Sequence, residues 1–587
     1  MRVAARGELL LYASRGELRR CNGLLTVPLS RLILSNMVNF QGQLDRASTL
    51  TYERTRKNLN QWREQHGVLR VKIIALVMSA LVGTSGVAHA ASVTPGTPAE
   101  VQCKGLPGAD FSGINDASTQ VTDAKVEDAA AGAPAYCKVQ GYVSPQVGFE
   151  LRLPLTNWNG KFMEVGCGGF CGDTDFIFLC DSPLRKDYAC VVTDMGHKST
   201  KLDAKWAYNN LQAQVDYGFR ATHVAALAGK AITEHYYGKA PAKSYYLGCS
   251  CGGRQGLVEA QQFPWDFDGI IVGAPAINYS GVFMDLHWKT RAVADKDGNP
   301  LFSDADIALV HSAAIGKCDK DDGVKDGLIG DPRTCKFDPS DLVCRAGAKT
   351  GCLSPGQVAA MKKFYSGPVT STGERIFPGG GMPGSETSVF GINGFQSVFA
   401  NFSREFFQYL GFVPAPGPSW KSSDFDFDRD YKRLGMLESL FASTNPDLRK
   451  FKAAGGKLIL WQGWADGAVS PLNTIDYYET VERTMGGAAA TRDFFRLFML
   501  PGVDHCWGGE GASVVDVLTY MEAWVEKNQA PDMMMSAHLK AGTDTLNWPS
   551  DPALIGFTRP VYPYPLQAKY KGMGDPNKAE NFGPAKP

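Results

Sequence analysis

Between residues 185 and 275, short apolar runs alternate with longer stretches in which apolar positions recur at helical spacing. Asp187 to Thr193 reads as a strand, and Gln212 to Tyr236 as one long helix carrying His223 and His235 as packing or surface residues. Tyr245 to Leu247 reads as the end of a buried strand, Gln255 to Gln262 as a helix, and Phe267 to Val272 as a second buried strand with a Gly/Pro stop. Strands covered on both faces show such continuous apolar runs, so the β-α-β rhythm predicts an α/β fold: a parallel sheet with helices on both faces. From about Ala276 the rhythm is lost among Trp, Phe, Gly and Pro. It returns at Gly455 to Trp461 and again at Phe494 to Leu500. The chain therefore divides into a first core part, 91–275, an inserted lid domain, 276–450, and a second core part, 451–587.

Upstream, residues 91–150 alternate apolar with polar positions, as edge strands do, and contain Cys103 and Cys137. Residues 1–67 are polar and Arg-rich with no core pattern. Leu69-Arg70-Val71-Lys72, the apolar run Ile73 to Val82 and Ala88-His89-Ala90 then form a basic, apolar and A-x-A sequence, the pattern of a signal peptide spanning 68–90. Because such a leader begins a chain, the expected start lies near Val68, with 1–67 a mis-assigned upstream extension; a genuine N-terminal extension is the alternative. The formal net charge of zero gives no basic face for nucleic acid, and no uninterrupted apolar run is long enough to cross a membrane. Fourteen cysteines favour a disulfide-bonded protein of an oxidising compartment, secreted or periplasmic.

The candidate chemistry sits at strand ends. Gly248-Cys249-Ser250-Cys251-Gly252 is a G-x-S-x-G motif between a predicted strand and a predicted helix, the setting of a nucleophile elbow. A serine hydroxyl needs a base, and the base an orienting acid. In the α/β-hydrolase order, Ser then Asp then His, Asp466 follows the Leu458 to Trp461 strand and His505 follows the Phe494 to Leu500 strand. Asp476, on a helix-like run, and Asp504, adjacent to His505, compete less well for the acid. Met163 to Phe170 enters a Gly-rich loop, a candidate oxyanion hole. Phosphate cradling is the weaker reading, since no G-K-[ST] follows. Cys249 and Cys506 flank the predicted nucleophile and base, so a bridge between them would lock the two loops together.

With Gly248-Cys249-Ser250, Gly252-Gly253-Arg254, Gly463-Trp464-Ala465-Asp466 and Pro501-Gly502-Val503-Asp504-His505-Cys506, the sequence resembles the tannase/feruloyl esterase family, which includes mono(2-hydroxyethyl) terephthalate hydrolases, from roughly residue 100 onward. The resemblance implies an α/β-hydrolase core with a large lid, acting on small aromatic esters of the feruloyl, galloyl or terephthaloyl type; a monomer is expected. It places the oxyanion donors at the N–H groups of Cys251 and Gly169, with Gly168 as the fallback. It also explains the carboxylate-rich loop Cys318 to Leu328 as a structural Ca²⁺ site, with side chains from Asp319, Asp322 and Asp326 and carbonyls from Val324 and Leu328. Cys318 with Cys335 would brace that loop, and Cys344 with Cys352 would close a small lid loop. Phe402 and Arg404 are candidates for the aromatic ring and for a free carboxylate of the substrate; core packing and surface exposure are the competing readings.

Cys167, Cys171, Cys180 and Cys190 form an extra cluster. Zinc suits the residue type but not the spacing, so further disulfides, one of them to Cys251, are the better expectation. Removal of Cys21 with the leader leaves an odd number, hence at least one unpaired thiol. Two rival functions remain compatible with the sequence: a non-catalytic binding protein on a hydrolase scaffold, and a peptidase on the same fold.

Overall fold

The computed structural model describes residues 98–586, apart from 130, 131, 349, 389, 542 and 544–546. The leader and the segment before it lie outside the described residues. Nine strands form one mixed sheet: β1 (Thr119–Glu127), β2 (Tyr136–Val143), β3 (Val147–Pro154), β4 (Lys161–Val165), β5 (Ala189–Thr193), β6 (Lys243–Cys249), β7 (Gly269–Gly273), β8 (Lys457–Gly463) and β9 (Phe495–Leu500). Their spatial order is β1-β2-β3-β5-β4-β6-β7-β8-β9. The alternating segment makes the antiparallel side, β1 to β3 with β3 against β5. From β5 through β4, β6, β7 and β8 to β9 every pairing is parallel.

The apolar runs behave as period-2 strands buried on both faces. Ile270, Val272, Leu458 and Leu460 face one core, while Ile271 and Ile459 between them face the other. The first core is covered by α1 (Ala221–Tyr237), against β3 and β5, and by α2 (Cys251–Gln262), against β6 and β7. The long helix expected over Gln212 to Tyr236 is interrupted: Asp216 to Arg220 form a π-helical turn before α1 begins. Between β7 and β8 no strand joins the sheet. That stretch carries α3 (Tyr279–Ala292), α4 (Asp304–Cys318) and α5 (Phe399–Tyr409) among other helices. On the opposite face α6 (Val517–Lys527) packs Met521 and Trp524 against β7 and β8.

This topology brings the loops that follow β4, β6, β8 and β9 to one edge, the carboxyl ends of the parallel strands, where open α/β sheets place their ligands.

Candidate active site

β6 ends at Cys249, and α2 starts at Cys251. Ser250 alone makes the turn, with φ 61° and ψ −121°, a conformation that costs a non-glycine residue of order 1–3 kcal/mol. Two contacts explain why glycines surround it. A Cβ on Gly248 would lie 2.5 Å from the Gly252 carbonyl oxygen, and one on Gly253 would lie 2.6 Å from that of Gly273. The Ser250 N–H donates to the Gly273 carbonyl at 2.9 Å, tying the elbow to the end of β7.

Asp466 is fully buried, three residues beyond the end of β8. Its Oδ1 accepts the N–H groups of Ala468 and Val469, both at 2.9 Å. Its Oδ2 accepts from Gln462 Nε2 at 2.8 Å and lies 2.8 Å from His505 Nδ1. With Nδ1 engaged, His505 Nε2 is the nitrogen left for a proton from elsewhere. The loops of acid and base are joined by backbone as well: Ala465 N–H donates to the Val503 carbonyl at 3.0 Å. Asp476 is exposed on its helix, away from this arrangement.

Gln462 and Lys289 were not legible as site residues. Gln462 is held by Thr474, whose hydroxyl donates to its Oε1 at 2.8 Å. Lys289, fully buried on α3, donates to the Gly467 carbonyl at 2.9 Å and pairs with Asp285 at 2.7 Å. Lys289 reaches Gly467 across 178 residues, while Gln462, four residues before Asp466, is oriented by Thr474 twelve residues on; no local pattern announces either role.

Gly169 and Cys251 sit on either side of a third missed residue, Tyr217 of the π-helical turn. Its hydroxyl donates to the Gly169 carbonyl at 3.0 Å and lies 2.9 Å from Cys251 Sγ and 2.5 Å from the Tyr279 hydroxyl. The Arg254 guanidinium, fully buried, fixes that turn by donating to the carbonyls of Tyr217 and Gly218 at 2.8 and 2.7 Å. Among the described residues the Gly169 and Cys251 N–H groups donate to no backbone acceptor.

Six disulfides occur among the described residues. They are Cys103–Cys137, Cys167–Cys171, Cys180–Cys190, Cys249–Cys506, Cys318–Cys335 and Cys344–Cys352. The extra cluster thus pairs within itself, and the expected bridge to Cys251 is not made: Cys251 is a buried free thiol. The amide of Gln255 lies between it and the Cys167–Cys171 sulfurs, at 3.8, 3.3 and 3.5 Å respectively. Cys249–Cys506 closes a loop of 257 residues in sequence separation. Replacing both cysteines by serine is expected to lower unfolding free energy by up to about 5 kcal/mol on loop-entropy grounds. A urea midpoint unchanged from wild type would contradict that.

The acidic loop is partly assembled. Asp319, buried, accepts the N–H groups of Asp326 and Gly327 at 3.0 and 2.8 Å. Burial, reinforced by Asp326 and Asp319, pushes Asp322 up to about 6, the behaviour of a carboxylate short of positive charge. The carbonyls of Val324 and Leu328 accept no backbone hydrogen bond among the described residues. Asp326, however, turns Oδ2 to Arg559 at 2.6 Å.

Phe402 and Arg404 are not brought together. Phe402 lies 4.5 Å from the Phe170 ring, beside Gly169, and 4.9 Å from Phe283. Arg404, two positions further along α5, is rotated about 200° around the helix and hydrogen-bonds Asn401 on its own helix. Phe390 contributes instead, with its ring 5.6 Å from that of His505.

A second contact between the inserted segment and the base loop is ionic. His311 of α4 lies between Glu386, at 2.9 Å, and Glu510, at 3.3 Å. Burial opposes its charge, but the bonds to Glu386 and Glu510 outweigh burial and hold its pKa up to about 10. A raised pKa stabilises the fold fully below the unfolded value, about 6.5, and the gain is lost as pH rises through 10. With Glu510 57 % exposed, the effect is at most about 3 kcal/mol. The melting-temperature gap between wild type and His311→Gln should therefore shrink from pH 6.5 to pH 10; a constant gap would contradict it.

A serine at a strained strand-to-helix turn, a His–Asp pair on the two following parallel strand ends and a glycine loop beside them define the α/β-hydrolase class. The similarity to known proteins is more specific. The sequence profile described as "Tannase and feruloyl esterase" matches residues 130–585. The chain is 34 % identical over 533 residues to the mono(2-hydroxyethyl) terephthalate hydrolase of Piscinibacter sakaiensis, covering 78 % of this chain and 86 % of that protein. It is 34 % identical over 477 residues to a probable feruloyl esterase of Arthroderma benhamiae, covering 76 % and 83 %. Among solved structures, feruloyl esterase B from Aspergillus oryzae superimposes with a TM-score of 0.73 at 25 % identity, over 83 % of this chain and all of that one. This protein belongs to the tannase and feruloyl esterase family and is a carboxylic ester hydrolase. No helix among the described residues is long and apolar enough to cross a membrane.

Proposed function

We propose that this protein is an exported serine esterase that releases small aromatic acids from their monoesters through an acyl-enzyme on Ser250. The observation that carries the reading is the conjunction of Ser250 in its strained turn with the His505–Asp466 pair, on loops joined by Cys249–Cys506. His505 Nε2 takes the Ser250 proton as Oγ attacks the ester carbonyl carbon, and the carbonyl π electrons move onto oxygen. The N–H groups of Cys251 and Gly169 donate hydrogen bonds to the oxygen that carries this charge. The intermediate collapses, the C–O bond breaks, and the alcohol leaves with the proton held by His505. Water, deprotonated by His505, then attacks the acyl carbon; the bond from that carbon to Ser250 Oγ breaks, Oγ takes the proton back from His505, and the free acid leaves. Asp466 holds His505 in the required tautomer throughout.

The names of the two relatives point to aromatic acids, and the ring of Phe402, with Phe170 and Phe283, offers an apolar wall beside Gly169. Residues 276–450 act as the lid that excludes water. The Asp319, Asp322 and Asp326 carboxylates with the Val324 and Leu328 carbonyls fit an oxygen-seeking cation; Ca²⁺ bound there would brace the loop beside Arg559 and would take no part in the reaction. Six disulfides support export to an oxidising compartment.

The test is turnover of gallate, ferulate and terephthalate monoesters side by side, together with labelling by a serine-directed phosphonate. Hydrolysis of at least one aryl ester with labelling of Ser250 is expected. A protein that binds the esters but neither turns over nor labels would be a binding module, and hydrolysis confined to peptides would make it a peptidase.

A further inference from the structure

Behind the elbow helix lies a second group of ionisable side chains that ester hydrolysis leaves unused. His223 projects from α1, Glu259 from the last turn of α2, and Asp266 from the loop after it. One donor atom from each lies within 4.8 Å of the other two, and among the described residues no other set of three His, Cys, Asp or Glu donors is so close. His223 Nδ1 is 2.5 Å from Asp266 Oδ2. Glu259 is fully buried, no N–H group donates to either of its carboxylate oxygens, and its carboxyl faces that of Asp266.

The surroundings sharpen the imbalance. Glu164 of β4 is also fully buried with both oxygens unpartnered. The cation facing the group is Lys230 of α1, whose ammonium donates to the Asp266 backbone carbonyl. With His223 neutral, ionising all three carboxylates against one ammonium would leave two negative charges away from water, and a buried charge without a partner is strongly unfavourable.

We propose that His223, Glu259 and Asp266 bind one divalent first-row transition cation, best represented by Zn²⁺, which clamps α1 to the end of the elbow helix. A bound dication would cancel those two charges and give Glu259 a cation to pair with. One imidazole nitrogen with two carboxylates is a donor set that zinc accepts, whereas Ca²⁺ and Mg²⁺ take shells of oxygen. Ligand atoms 2.0–2.1 Å from one tetrahedral ion lie about 3.4 Å apart, so the present group needs only small side-chain adjustments. The ion would enter past His223, whose side chain is 12 % exposed and stacks on Phe263 at 3.9 Å. Glu259 is nine residues beyond Ser250, about 13 Å along the helix axis, so the site is structural and separate from the acyl-transfer chemistry.

The experiment uses the mature chain, stripped with chelator and then offered ZnCl₂ in millimolar CaCl₂, which saturates oxygen-only sites. After desalting, metal content and melting temperature are measured for wild type, Glu259→Gln and His223→Phe. Wild type is expected to retain about one equivalent of zinc and to melt higher with it. Both variants should lose that retention and the zinc-dependent shift. Glu259→Gln, the isostere of a protonated carboxyl, remains folded, so loss there is not a folding failure. Zinc retained equally by both variants would place it elsewhere. Wild type retaining none, with Glu259→Gln melting like wild type, would show instead a carboxyl pair that shares a proton. Either result overturns the proposal, and neither depends on which ester the enzyme hydrolyses.

Discussion

Ser250→Ala is expected to lower kcat by about 10⁵- to 10⁶-fold, leaving only what a bound substrate and the oxyanion donors provide. The fold should be untouched. No hydrogen bond to the Ser250 hydroxyl anchors the turn among the described residues, and alanine adopts φ 61° at a cost similar to serine's. Melting temperature and the Cys249–Cys506 bridge should match wild type. Ser250→Gly makes the complementary comparison: equally inactive, but more stable by about 1–2 kcal/mol, because glycine relieves the strained φ. Aryl-ester turnover by purified Ser250→Ala at wild-type rates would remove Ser250 from the mechanism.

Asp466→Asn should cost about 10⁴-fold in kcat through a tautomer error that the surrounding bonds enforce. In the native carboxylate, Oδ1 is claimed by the N–H groups of Ala468 and Val469. The asparagine carbonyl must take that place, since an NH₂ group there would meet two donors. Its amide nitrogen is then forced to the Oδ2 position, facing His505 Nδ1 and Gln462 Nε2. Imidazole answers by accepting at Nδ1 and carrying its proton on Nε2, where it cannot take one from Ser250. The clash of two donors at Gln462 adds a stability loss of about 1–3 kcal/mol. kcat near neutral pH and a denaturant melt measure the two effects separately. A variant within tenfold of wild type would mean that another group orients His505.

How far the chain could be read before its structure was known depended on the range of each interaction. β7 and β8 were legible because Gly269 to Val272 and Leu458 to Trp461 are apolar throughout, as strands covered on both faces must be. Ser250, Asp466 and His505 were legible because each lies just past such a run, and chain order supplied the rest. Lys289, Gln462 and Tyr217 left no local trace. Each acts through a backbone atom or side chain whose identity depends on tertiary packing. Arg404 suits a carboxylate by residue type, but two positions from Phe402 on a helix it lies on a different face. The Cys167–Cys171 pair, four residues apart, was beyond reach because cysteine spacing does not fix connectivity.

The link between Cys249 and Cys506 has a consequence for an enzyme working among proteases. Any single cut between residues 250 and 505, including every cut within the long helical segment between β7 and β8, leaves two fragments that remain one covalent molecule. The nicked protein would run at full length on a non-reducing gel and as two bands after reduction. Its nucleophile and base would still be fastened to each other, so a cut in that segment need not scatter the residues that do the chemistry.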